Sequence, residues 1–193
     1  MKKKSKLLFI LSFFAFFIFF TKSEAISMQI EIPEPDATVH EIMDDTIATL
    51  TKKYNLHPCG IGMNGKFEYL EISFQIRKNL NRDEIRAILM DCGKEFLENI
   101  NSCKMIRPFL KDYPFSSKNI GIVLFIRNET NNDIFHPEIC CASIRRSVVS
   151  FHTKSEENQF RYKETYEESY EEALALLEKT KDPAEIAKTK NPE

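Results

Sequence analysis

Glycine and histidine are scarce in this chain: five and four in 193 residues. Neither a Gly-rich phosphate loop, nor a serine nucleophile elbow, nor a His-x-x-x-His pair is read in it. The usual sequence warrants for nucleotide, acyl-transfer and zinc-hydrolase chemistry are therefore missing. Positive charge is also thin beyond the start. Five of the 27 Lys and Arg, but one of the 29 Asp and Glu, lie in residues 1–25, which leaves 22 basic and 28 acidic side chains after them. That acidic balance argues against nucleic acid and against anionic membrane surfaces, both of which need clustered Lys and Arg. No internal repeat and no linker divides the remainder, which is long enough for one domain with a real core.

What is present at the start is an address. Lys2, Lys3, Lys4 and Lys6 precede an apolar run, Leu7 to Phe20, and a short polar stretch ending Ser23-Glu24-Ala25. This is the layout of a signal peptide. As a helix the apolar run is about 21 Å long at ~1.5 Å per residue, short of the ~30 Å hydrocarbon core. Cleavage after Ala25 is expected, with an uncleaved anchor as the alternative. No Cys stands near the cleavage point, which argues against a lipoprotein. The expected location is exported, periplasmic or extracellular, with no membrane attachment after signal cleavage.

The rest reads in order. Residues 26–37, with Pro33 and Pro35, form an extended arm. Thr38-Val39-His40-Glu41 is a capping box for a first helix over 39–54. Asn64-Gly65 predicts a two-residue hairpin turn, followed by a strand over 66–78 with Leu70, Ile72, Phe74 and Ile76 on one face. Asn81 to Glu84 caps a second helix to about residue 101, in which Gly93 implies a close neighbour. Residues 102–117 form a long loop. Ile120 to Ile126 is a strand, 138–152 a long strand with a bulge near 145–147, and 160–163 a short one. Thr165 to Glu168 is a capping box for a last helix to about 179, before a polar tail, 181–193. The expected fold is α+β: a single domain over 38–180, an antiparallel-rich sheet of about five strands in the order α-ββ-α-βββ-α, with amphipathic helices on one face.

The five cysteines, Cys59, Cys92, Cys103, Cys140 and Cys141, are an odd number, so at least one is unpaired. A thiol enzyme would draw on Cys59, Cys140 or Cys141, with His57 and His136 near in sequence. The same segments would have to meet to build a Cys₂His₂ metal site, and their spacing is wrong for one. Cys140-Cys141 in a strand point to opposite faces. The Glu pairs at 156–157, 167–168 and 171–172 read as a solvated surface, and Arg145-Arg146 as an ion-pair or anion contact. No metal and no cofactor is expected.

Lys104 to Phe115, with Glu95-Phe96-Leu97 before it and Tyr166 to Leu174 near the end, resembles a set of small exported proteins from obligate intracellular bacteria. The resemblance covers about 40–180 and implies export; that family has no assigned activity and transfers no site residue. Loop 102–117 remains the best candidate surface, with Arg107, Lys111 and Tyr113 able to anchor an interface. Its alternative role is to plug the core with Phe109, Tyr113 and Phe115. The expected function is a non-enzymatic domain that binds a protein partner. The alternatives are an enzyme with a site assembled from dispersed residues and a small-ligand carrier using the second face of the sheet.

Overall fold

The computed structural model describes residues 34–180 other than Gly65 and Gln159. The signal peptide, residues 26–33 of the arm, Gly65 and the tail lie outside the described residues. Among the described residues three α-helices and six strands run in the order α1 (Pro35–Tyr54), β1 (His57–Met63), β2 (Leu70–Arg77), α2 (Arg82–Ser102), β3 (Ile120–Arg127), β4 (Cys141–Arg145), β5 (Val148–Lys154), β6 (Tyr162–Ser169) and α3 (Tyr170–Thr180), with a short 3-10 turn, Arg107–Phe109, between α2 and β3. The fold is α+β, with one mixed sheet in the order β1-β2-β3-β4-β5-β6. β2 and β3 are parallel and every other neighbour is antiparallel. The parallel pair follows from α2, whose 21 residues carry the chain back to the start of the sheet.

Alternation builds the core. Leu70, Ile72, Phe74 and Ile76 of β2 lie beside Ile120, Ile122, Leu124 and Ile126 of β3. Ile144 and Ala142 of β4, then Val149 and Phe151 of β5, continue that face. These residues form one buried cluster with Val39, Met43 and Leu50 of α1, Ile85, Leu89, Phe96 and Ile100 of α2, and Ala173 of α3. At Gly93 a Cβ would come within 3.0 Å of Ile144 Cδ1, so the glycine lets α2 lie close on β4.

Caps and turns depart from the sequence expectations in four places. First, α1 opens at Pro35, not after Thr38, so Pro35 to Ala37 are helical and not part of an arm. Proline suits a first helical turn, where its missing N–H costs nothing. Thr38 Oγ1 donates back to the Glu34 carbonyl instead of capping. Second, Met63 faces Leu70, so residues 64–69 connect β1 to β2 and the strand starts at Leu70, not 66. Asn64 is still the pivot: its Oδ1 accepts the N–H groups of Glu68 at 2.7 Å and Tyr69 at 3.3 Å.

Third, residues 138–152 are not one bulged strand. Arg146 and Ser147, with φ of 49° and 66°, turn the chain between β4 and β5. Two successive positive φ values are the two-residue hairpin conformation. Side chains that resist it are held there by Ser117, whose carbonyl accepts the Ser147 N–H at 3.0 Å and whose Oγ meets Ser147 Oγ at 2.8 Å. Fourth, Thr165 to Glu168 lie in β6, which runs to Ser169 and replaces the short strand over 160–163. The cap of α3 is Ser169: its Oγ accepts from Glu172 N–H at 3.1 Å, and Glu172 accepts the Ser169 N–H at 2.7 Å.

Candidate functional site

Loop 102–117 plugs the core and also presents an outer surface. Ile106, Leu110 and Phe115 are buried; Met105, Phe109 and Tyr113 are 50%, 43% and 47% exposed. The plug is therefore Ile106, Leu110 and Phe115, not Phe109 and Tyr113. Asn101, at the end of α2, pins the loop by donating to the Phe115 carbonyl at 2.9 Å and accepting its N–H at 2.8 Å. Arg107 and Tyr113 converge. The guanidinium lies 4.9 Å from the ring centre, and both side chains donate to the Asn101 carbonyl at 3.3 Å. Lys111 is held apart from them: it pairs with Glu68, and its N–H bonds the Phe67 carbonyl. Two of the three expected anchors thus form one unit, and the third belongs to the 64–69 connection.

The sheet face away from the core carries two side-chain groups that the sequence reading did not assemble. Glu71 takes both hydrogen bonds of the Arg145 fork, at 2.9 and 2.8 Å, and accepts Tyr69 Oη at 2.9 Å. Tyr69 and Glu71 crowd Gly121, where a Cβ would sit 2.2 Å from Tyr69 Oη and 2.6 Å from Glu71 Oε2. Burial and the bond to Glu71 raise the Tyr69 pKa. Farther along, Cys141 faces His152 across β4 and β5, and His152 stacks on Tyr162 with ring centres 4.1 Å apart. The first group joins residues 74 apart, and the second lies on three successive strands, so in both cases it is the register that brings the side chains together.

The second group looks like a thiol site, but its electrostatics run the wrong way. Burial pushes the Cys141 thiol up, and burial also lowers the His152 pKa. A neutral imidazole beside a protonated thiol is the opposite of the ion pair that activates a cysteine. Burial likewise raises Cys59 and Cys140, and Cys92 to about 12. All five cysteines are free, and Cys59 alone is exposed, with part of its side chain still covered. Among the described residues no three His, Cys, Asp or Glu side chains gather as metal ligands.

A groove of about 850 Å³ lies between the start of α2, residues 136–139 and the ends of β5 and β6. Its cation is Arg82, stacked 4.2 Å from the Tyr166 ring. Its acids are Glu138 and Glu164. The lining is mixed in charge, and in it His136 Nδ1 meets Thr153 Oγ1 at 3.3 Å and lies 3.8 Å from Glu164 Oε2. Both contacts fall on one ring nitrogen, so the carboxylate does not act through the ring on the hydroxyl as in a catalytic triad.

Gly60-Ile61-Gly62-Met63-Asn64-Gly65-Lys66 has the spacing of phosphate-binding glycine motifs, a feature the sequence reading passed over. The context is wrong for that use. Gly60 and Gly62 lie inside β1, and the next element is the antiparallel strand β2, not a helix whose N-terminus could meet a phosphate. Phe67, buried, stands where a P-loop needs Ser or Thr.

No family model matches this chain, and neither a curated protein nor a solved structure is significantly similar to it. Among the described residues no helix is long and apolar enough to cross a membrane.

Proposed function

We propose that this chain is an exported domain that works by binding another protein through loop 102–117, and not by catalysis. The observation that carries this reading is the outward display of Met105, Phe109 and Tyr113 from a loop whose base Asn101 fixes. Exposed aromatic and Met side chains on a pre-ordered loop lower the entropy cost of docking. Arg107, stacked on Tyr113, supplies the guanidinium typical of interface hot spots. The loop holds Lys104, Arg107 and Lys111 against one acid, Asp112, in a chain that is acidic beyond residue 25. The fitting partner is an apolar surface rimmed by carboxylates.

The start of the sequence supports export, and so does the resemblance of residues 104–115 to exported proteins. Mass measurement of the exported protein tests the address: it should begin at Ile26, and retention of residues 1–25 would replace the signal by an anchor. Substitution tests the surface. Arg107→Ala with Phe109→Ser should abolish crosslinking to the partner recovered with the wild type, while the melting temperature stays within a few degrees. Retained crosslinking would move the binding site elsewhere.

A further inference from the structure

Among the described residues the sheet has two edges, β1 and β6, and they differ in chemistry. β6 reads Tyr162-Lys163-Glu164-Thr165-Tyr166-Glu167-Glu168-Ser169. That row of charge is how natural sheets blunt an edge against strand addition. β1 reads His57-Pro58-Cys59-Gly60-Ile61-Gly62-Met63 and has no Asp, Glu, Lys or Arg. Ile61 and Met63 are exposed. The Asn64 N–H donates to the Tyr69 carbonyl, and the Leu70 N–H donates the other way, to Asn119. Antiparallel alternation then directs the main chain of Gly60 and Gly62 toward β2, and that of Ile61 and Met63 outward. Pro58, without an N–H, and the bulge between Pro58 and Gly60 close one end of this edge, and Asn64 turns the chain at the other.

The glycines of β1 are a separate observation. Among the described glycines none has positive φ. A Cβ at Gly60 would meet nothing within 4 Å, and one at Gly62 would make only an ordinary contact, 3.7 Å to Glu71 Cβ. Gly60 borders the bulge in β1, a usual place for a strand glycine, whereas nothing in the chain's own fold requires glycine at Gly62. Strand glycine costs stability, and one use for it is the close approach of another backbone.

We propose that β1 pairs antiparallel with β1 of a second copy of this chain, about a two-fold axis at Ile61. A two-fold pair sets each residue against its counterpart, so an edge with charges would repel itself. β1 passes that condition in any register, whereas β6 paired with itself about Tyr166 would set Glu164 against Glu168. The axis at Ile61 sets Ile61 against Ile61 and Met63 against Cys59. The two Ile61 residues then exchange N–H and C=O bonds, the Met63 N–H reaches the carbonyl of Cys59, the residue at the β1 bulge, and both sheets become one.

The test is sedimentation of the purified exported chain across micromolar to millimolar concentration, with amide exchange read in parallel. The wild type should form a reversible dimer, and the Ile61 and Met63 amides should gain protection as concentration rises. Ile61→Lys sets two ammonium groups face to face and should leave monomer only. Gly60→Val fills space that is open in the monomer and should also abolish the dimer, with far-UV circular dichroism unchanged. It serves as the control if the lysine variant folds poorly. A wild type that stays monomeric overturns the proposal, as does a dimer that survives both substitutions. Protection of Ile61 and Met63 independent of concentration would mean that another segment of the same chain covers the edge, and also overturns it.

Discussion

Arg86 of α2 and Glu168 of β6, 82 residues apart, form a two-pronged ion pair with both side chains buried. Nε meets Oε1 at 2.6 Å and a terminal nitrogen meets Oε2 at 2.9 Å. Phe151 lies 5.6 Å from the guanidinium, and Asp83 takes its remaining nitrogen. The pair joins the crossover helix to the last strand. Glu168 is the residue the sequence reads as a helix cap; the fold makes it an inward anchor.

That placement is testable by contrast. Glu168→Ala strands a buried guanidinium and should destabilise the fold by about 3 kcal/mol or more. Ser169→Ala removes the actual cap of α3 and should cost about 1 kcal/mol. Thr165→Ala, at the expected cap, should cost less than either. Denaturant midpoints of the three variants decide the order.

Close packing at Gly93 gives a second stability prediction. Gly93→Leu would push into Ile144 and Ile120 and should cost about 1–3 kcal/mol, despite the better helix propensity of leucine. An unchanged midpoint would show that α2 is not seated on β3 and β4 as described.

His152 sets a pH dependence. Burial lowers its pKa in the folded chain, so between the folded value and the ordinary value near ~6.5 the unfolded chain binds a proton that the fold refuses. The stability linked to this histidine is complete above about pH 6.5 and is lost as pH falls toward the folded value. Between about pH 7.5 and about pH 5.5 the wild type should lose more stability than His152→Gln. Parallel pH profiles would contradict the burial of the ring.

The thiols give a chemical test of the enzyme alternative. At about pH 7.5 alkylation of the folded chain should be led by Cys59, the exposed thiol, while Cys92, Cys140 and Cys141 react only on unfolding. Fast labelling of Cys141 well below pH 8 would mean an activated nucleophile beside His152 and would revive a catalytic reading.

Local signals were legible where a single segment carried them. The Asn81–Glu84 capping box forms as read, and the alternation of β2 and β3 puts the expected residues inside. Failure came where distant segments decide. The change of parity between Ile144 and Val149 is real, but a hairpin and a bulge both produce it, and Ser117 decides between them from outside the segment. Asn64-Gly65 resembles a tight turn, yet Phe67 is drawn into the core and lengthens the connection. Thr165 to Glu168 matches a cap by pattern, and Arg86 claims Glu168 for the strand. In loop 102–117, Arg107 and Tyr113 meet because Asn101 offers one carbonyl to both. No spacing rule places Lys111 on Glu68 instead.

Docking of a protein partner on loop 102–117 can be read by site-specific photocrosslinking. A benzophenone side chain is placed at Phe109 in the exported chain, and in a control at Lys163 on β6, where charge protects the edge. One discrete crosslinked protein is expected from position 109 and none from 163, with the product lost when Arg107→Ala is added. Equal products from both positions, or none from 109 where crosslinks arise elsewhere on the chain, would contradict it.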